Sequence, residues 1–124
     1  MDIIISNSSS VPLYEQVLSQ IKHLILTNEL QPDEALPSIR VLAKELKVSI
    51  ITIKRAYEEL EIEDFIKTIP GKGTYVSNVN LERLREARIS QIEERLEEIV
   101  VAAKGVGLTL EEVMSRLTLL YEEE

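Results

Sequence analysis

The residues in this chain with the clearest chemical meaning cluster between positions 38 and 55. Ser38 opens SIRVLAKEL and Ser49 opens SIITIKRAYEEL. A serine at a helix start caps it, and the backbone N–H groups of that first turn are free to hold phosphate oxygens. Arg40 would project from the first turn behind Ser38, where its guanidinium can read guanine O6 and N7 as a bidentate donor. Thr52 offers a hydroxyl for a phosphate contact, and Lys54 and Arg55 offer charge. Ile50 and Ile51 lie off the apolar stripe formed by Ile53, Ala56, Tyr57 and Leu60. Packing gives these two isoleucines no task, whereas thymine methyl groups would.

Charge supports the same chemistry. The whole chain carries a net −8, but residues 38–55 hold five basic side chains (Arg40, Lys44, Lys47, Lys54, Arg55) against Glu45 alone. Positive charge is thus concentrated where a polyanion would dock, and the acidic remainder should weaken non-specific attraction.

Other chemistries find little footing. There is no cysteine, and His23 is the only histidine, so thiolate and His-rich metal sites are excluded. His23 reads as a partly exposed polar residue on a helix. Glu93, Glu94, Glu97 and Glu98 form i, i+4 pairs opposite an apolar seam, which is the pattern of a solvated helix face rather than an acid–base site. Gly71-Lys72-Gly73-Thr74 lacks the GxxxxGK[ST] spacing of a phosphate loop. No histidine stands near a serine that could act as a nucleophile. An enzyme is not expected, nor is a cofactor or a metal. No apolar run approaches the ~20 residues needed to span a bilayer, and MDIIISNSSS does not read as a secretory signal. A cytoplasmic protein with no membrane partner is the expectation.

The elements that must position these residues follow from periodicity. Residues 1–10 read as an extended arm without assigned function. A first helix starts near Pro12 with Ser10 as its cap, and presents Leu13, Val17, Leu18, Ile21, Leu24 and Ile25 on one face. Asn28 suits a left-handed terminating position. LQPDEALP leaves room for one short strand. The second helix, Ile39–Leu46, has Ile39, Leu42, Ala43 and Leu46 as its inner stripe. Lys47 and Val48 make the turn into the third, which ends about Glu63–Asp64. Two β-prone runs, Phe65–Ile69 and Thr74–Ser77, then flank Pro70-Gly71-Lys72-Gly73 in the manner of a hairpin. A helix, a helix-turn-helix and a hairpin in this order make a winged helix, with the third helix in the major groove. The wing tip, from Pro70 through Gly71, Lys72 and Gly73 to Thr74, reaches the neighbouring minor groove.

The remaining segment has a different periodicity. Leu81–Lys104 contains no glycine or proline and would form one helix about 36 Å long. Ile89, Ile92, Leu96, Ile99 and Ala103 recur at 3-4-3-4, the narrow seam of a paired helix. After GVGL, Thr109 and Glu112 form a capping box for a last helix carrying Leu110, Val113, Leu117 and Leu120. A hairpin this small cannot bury both seams alone, so a second copy is the expected partner. The fold class is mainly α with a small β-wing: a winged helix-turn-helix over residues 1–78 and a two-helix dimerisation hairpin over 79–124.

The runs PLYEQV, NELQPDEALPSIRVLAKELKVS, AYEELEIEDFI and PGKGTYV, from Pro12 to about Ser77, resemble the winged helix of GntR-family bacterial transcription regulators. The short two-helix tail resembles the YtrA subfamily, where it serves as the dimerisation module. The resemblance implies a homodimeric regulator, usually a repressor, on a palindromic double-stranded DNA operator, in a subfamily whose controlled genes often encode transporters or cell-envelope functions. Its contact positions fall on Ser38 and Arg40, on Ser49, Ile50, Ile51, Thr52 and Lys54, and on Pro70, Gly71 and Lys72. The chain departs from the family at Ile50, where many members carry arginine. It departs again at Lys47 and Asp64, where glycine is common, so both should adopt positive φ. Two alternatives stay open: a winged helix used to bind protein, and a dimer interface that senses a small ligand of unknown identity.

Overall fold

The computed structural model describes residues 1–78 and 81–123. It divides into two compact units, Met1–Leu81 and Glu82–Glu124. The boundary expected between residues 78 and 79 adjoins Val79 and Asn80, which lie outside the described residues.

The first unit contains α1 (Leu13–Leu26), β1 (Ala35–Leu36), α2 (Ile39–Leu46), α3 (Ile50–Ile62), β2 (Ile66–Ile69) and β3 (Gly73–Val76). The fold is mostly helical, with a small antiparallel sheet ordered β1-β3-β2. Ile66 pairs with Val76 and Ile69 with Gly73 across the hairpin, while Ala35 and Leu36 pair with Tyr75 and Thr74 on its other side. Helix α3 packs on both α1 and α2. The core joins Val17, Ile21 and Ile25 of α1 to Leu42 of α2, Ile53 and Leu60 of α3, and Val76 of the wing, all fully buried. The three- and four-residue spacing of these positions places them on one face of each helix. His23 is exposed in the last turn of α1.

Helix ends follow local chemistry, with one correction. Pro12, not Ser10, occupies the N-cap of α1, and no side chain caps that end. The chain is extended at Pro12, with ψ 144°, and its carbonyl accepts from the Glu15 and Gln16 N–H groups at 3.1 Å. Ser10 therefore lies two residues ahead of the cap. At the other end Asn28 takes φ 62° and closes the helix as its residue type suggests.

Lys47 and Asp64 have φ of 58° and 64°. Both follow helices and occupy the left-handed region, with the Val48 N–H reaching back to the Ala43 carbonyl at 3.0 Å. A β-carbon in this region costs roughly 1–2 kcal/mol, and glycine gives back about 0.5–1 kcal/mol of that through its unfolded-state freedom. Lys47→Gly should accordingly raise stability by up to about 1 kcal/mol. The check is the urea midpoint at unchanged slope; a lowered midpoint would mean that the lysine side chain itself supports the turn.

The arm before α1 is tied to it. Gln20 donates to the Ile4 carbonyl at 2.7 Å and accepts from the Ile4 N–H at 2.9 Å. One turn earlier, Gln16 makes the same reciprocal pair with Ser6, at 3.0 and 2.8 Å. Ile3 is thereby held in a buried position.

The second unit consists of α4 (Leu81–Gly105), from Glu82 onward, and α5 (Leu110–Glu123). Gly107, at φ 78°, makes the turn, and the Leu108 N–H closes back on the Ala103 carbonyl at 2.9 Å. Thr109 and Glu112 form the reciprocal capping box: the Thr109 hydroxyl accepts from the Glu112 N–H, and the Glu112 carboxylate accepts from the Thr109 N–H, both at 3.2 Å. Hydrogen bonds from the Thr109 backbone and hydroxyl hold the Glu112 carboxyl below its usual pKa. Its support of the α5 start is therefore present at neutral pH and lost as the medium is acidified through the lowered pKa. Among the described residues of this unit only Ala103 is buried; Ile92, Leu96, Ile99, Leu110 and Leu120 are exposed. An open, largely apolar groove of about 420 Å3 runs between the two helices, with Ile99, Val113 and Leu117 in its wall.

Candidate nucleic-acid interface

Each helix of the helix-turn-helix begins at a serine cap. The Ser38 hydroxyl accepts from the Val41 N–H at 3.2 Å and the Ser49 hydroxyl accepts from the Thr52 N–H at 3.1 Å. These bonds leave the N–H groups of Ile39 and Arg40, and of Ile50 and Ile51, at the first turn of each helix without an intrahelical carbonyl partner. Such N–H groups, backed by the helix dipole, suit phosphate oxygens. The two starts are fixed relative to each other by Tyr57. Its ring lies in the core and its hydroxyl donates to the Pro37 carbonyl, next to the Ser38 cap, at 2.8 Å. Burial, with the Glu45 carboxylate adding to it, pushes the Tyr57 phenol far above its ordinary pKa, so it stays a donor at every working pH.

Helical geometry sorts the side chains of α3. Ile53, Ala56, Tyr57 and Leu60 are buried. At 3.6 residues per turn, Ile51 lies almost diametrically opposite that stripe, and it is 77% exposed. Ile50, nearer the edge of the stripe, is 46% exposed. Thr52 is half-buried, and its hydroxyl lies 2.7 Å from that of Ser49, so it belongs to the cap.

The basic side chains fall into two groups. Lys54 lies 4.0 Å from Glu58, and Arg55 lies 3.9 Å from Glu59. Arg55 also stacks its guanidinium over the Tyr14 ring of α1, 3.7 Å from the centroid. By contrast Arg40, Lys44, Lys47 and Lys72 are exposed, and their side chains have no hydrogen-bond or ion-pair partner among the described residues. An unpaired cation is free to meet a phosphate or a base edge; a stacked one must first leave its ring.

The hairpin gives the third element. Its tip turns at Pro70-Gly71, with the Lys72 N–H bonded to the Ile69 carbonyl at 3.0 Å. Gly71 takes φ 77°, which proline-glycine turns require of the residue after proline. Pro70, Gly71, Lys72 and Gly73 are all exposed, and Tyr75 steadies the loop by donating to the Lys72 carbonyl at 3.1 Å. Thr74 is half-buried on β3 and faces Thr68. At the base of the wing Lys67 pairs with Asp33 at 2.7 Å.

The sequence pointed to the serine caps, the exposed isoleucines and the wing tip. It did not reveal the Arg55–Tyr14 stack or the Tyr57–Pro37 bond. The only cue to the first was an aromatic residue in PLYEQV, whose partner lies 41 positions further along.

Known proteins match this arrangement. The description "Bacterial regulatory proteins, gntR family" matches residues 13–76. The HTH-type transcriptional repressor YtrA of Bacillus subtilis (strain 168) is 38% identical over 105 residues, covering 85% of this chain and 81% of the repressor. A transcriptional regulator from Oenococcus oeni superposes with a TM-score of 0.75 at 26% identity, over 94% of this chain and 97% of that one. The DNA-binding domain of AraR, solved in complex with operator ORX1, superposes at a TM-score of 0.55 and 26% identity, over 62% of this chain and 96% of the domain. The family and these relatives are transcription regulators, not enzymes.

Proposed function

We propose that this chain, which belongs to the gntR family of bacterial regulatory proteins, represses transcription as a homodimer on a two-fold symmetric DNA operator. The observation that carries the reading is the set of unpaired cations and open helix starts on one helix-turn-helix: Arg40 in the first turn of α2, Lys44 in its last turn and Lys47 in the turn that leads to the start of α3. In this reading α3 enters the major groove, Arg40 reads a guanine edge, and the first-turn N–H groups behind Ser38 and Ser49 hold flanking phosphates. Lys54 adds charge from the same helix, while Arg55 braces α3 against Tyr14. The loop from Pro70 to Thr74 lies over the adjacent minor groove, where only Gly71 and Gly73 lack a side chain to keep the backbone away.

The second copy follows from the second unit. Ile92, Leu96 and Ile99 of α4 and Leu110 and Leu120 of α5 are exposed, and Ile89, Val113 and Leu117 are half-buried beside them. Burying such seams against an identical hairpin is the economical way to remove this apolar surface from water. A dimer then sets two recognition helices on half-sites about one helical turn apart, or a multiple of it. The resemblance of the two-helix tail to the YtrA subfamily extends the reading to transporter or cell-envelope genes as the regulated set.

In vitro selection from a random duplex pool tests this. Inverted half-sites at a fixed, turn-related spacing are the expected product, and failure to enrich any sequence would refute it. The wing contributes differently. Lys72→Ala should weaken binding to all sequences alike and reduce the slope of log K against log salt by about 1. Fluorescence anisotropy at several salt concentrations reads this, and an unchanged slope would remove Lys72 from the phosphate contacts.

A further inference from the structure

Ile50 and Ile51 are not explained by phosphate binding or by packing. They occupy the first turn of the helix assigned to the major groove, directly after the Ser49 cap, and both are exposed, as is Ile62 at the far end of α3, whereas Ile53, Ala56, Tyr57 and Leu60 between them are buried. Free apolar surface in that place is a cost unless something covers it. Their surroundings select what can do so. Arg40, Lys44 and Lys47 on the preceding helix and turn repel a basic partner and attract a polyanion. The apolar group that a DNA major groove offers is the thymine C5-methyl; cytosine carries hydrogen at the same carbon.

We propose that Ile51 is a specificity-determining residue that reads a C5-methyl group in each half-site, with Ile50 as its weaker neighbour. The assignment rests on α3 being the major-groove helix. Within α3 the order is set by geometry: Ile51 points away from the core, whereas Ile50 leans toward it. Because the contact is to the methyl group and not to a hydrogen-bonding edge, it should recognise the carbon substituent on either pyrimidine. An operator position filled by 5-methylcytosine would be read like thymine, and unmodified cytosine would not.

The test uses the full chain and the duplex recovered by selection, resynthesised with deoxyuridine in place of each thymine in turn. Deoxyuridine lacks only the methyl group, so its effect isolates this contact. At one thymine per half-site the substitution should weaken binding about fourfold, the worth of one buried carbon. The same position refilled with a C·G pair should regain about fourfold when that cytosine is 5-methylated. Ile51→Ala should abolish both sensitivities, and Ile50→Ala should retain most of each. Ile51 is solvent-facing, so its variant should fold normally, which the thermal midpoint verifies.

Deoxyuridine without effect at every position overturns the proposal, as does a loss in Ile51→Ala equal to that of the unmodified chain. In either case binding itself survives, and the wider reading of the interface with it. If no duplex is recovered at all, the interface reading fails, and this proposal falls with it.

Discussion

A chain carrying both Ile92→Glu and Leu96→Glu is expected to run as a monomer and to lose operator affinity by about two to four orders of magnitude. The two positions are consecutive members of the 3-4-3-4 seam on α4, and both are exposed in the single chain. Two carboxylates there do little to an isolated hairpin. Paired against an identical seam they would be buried without counter-charges, a cost that far exceeds what the remaining apolar contacts return. The size of the affinity loss comes from linkage. Once one recognition helix is bound, the second faces its half-site at a high effective concentration, and this advantage vanishes when the two chains separate. The helix-turn-helix should survive the change, because its core from Val17 to Val76 lies wholly in the first unit. Sedimentation at micromolar concentration reads the mass, and anisotropy on the selected duplex reads the affinity. A variant that stays dimeric with undiminished binding would place the self-association surface elsewhere.

Arg40→Ala should have the next largest effect, about 1–3 kcal/mol per half-site, with discrimination relaxed at one base pair in each. Arg40 leaves α2 one residue after its start, is exposed, and has no partner among the described residues. Its five N–H donors match the two acceptors of a guanine edge. A phosphate contact would behave otherwise: loss of Arg40 would weaken every duplex equally. Titrations against the selected duplex and against single-base variants of it separate the two cases. Uniform weakening would reassign Arg40 to the backbone, and unchanged affinity would remove it from the interface.

Much of the fold could be read from the sequence because its determinants are local. The caps at Ser38 and Ser49, the capping box of Thr109 with Glu112, and the positive φ of Asn28, Lys47 and Asp64 each depend on residues within one turn of helix. The buried stripe of α3 matches its three- and four-residue spacing at every position. Residue type favours Ser10 as the cap of α1, yet Pro12 itself occupies that position, and residue type alone does not decide between them. The contacts that periodicity could not supply are those between distant side chains. Gln16 and Gln20 tie down the arm, Arg55 lies over Tyr14, and Tyr57 holds the residue before Ser38. The candidate site was legible to the same degree: its helix starts and exposed residues were visible, but not the division between braced and unpaired cations.

Native mass spectrometry on the selected duplex puts the question of a symmetric regulator most directly. Two chains on one full-length duplex are expected, with little or no complex on a duplex cut to a single half-site at the same concentration. One chain per duplex, or equal binding to the isolated half-site, would contradict a dimer acting through two recognition helices.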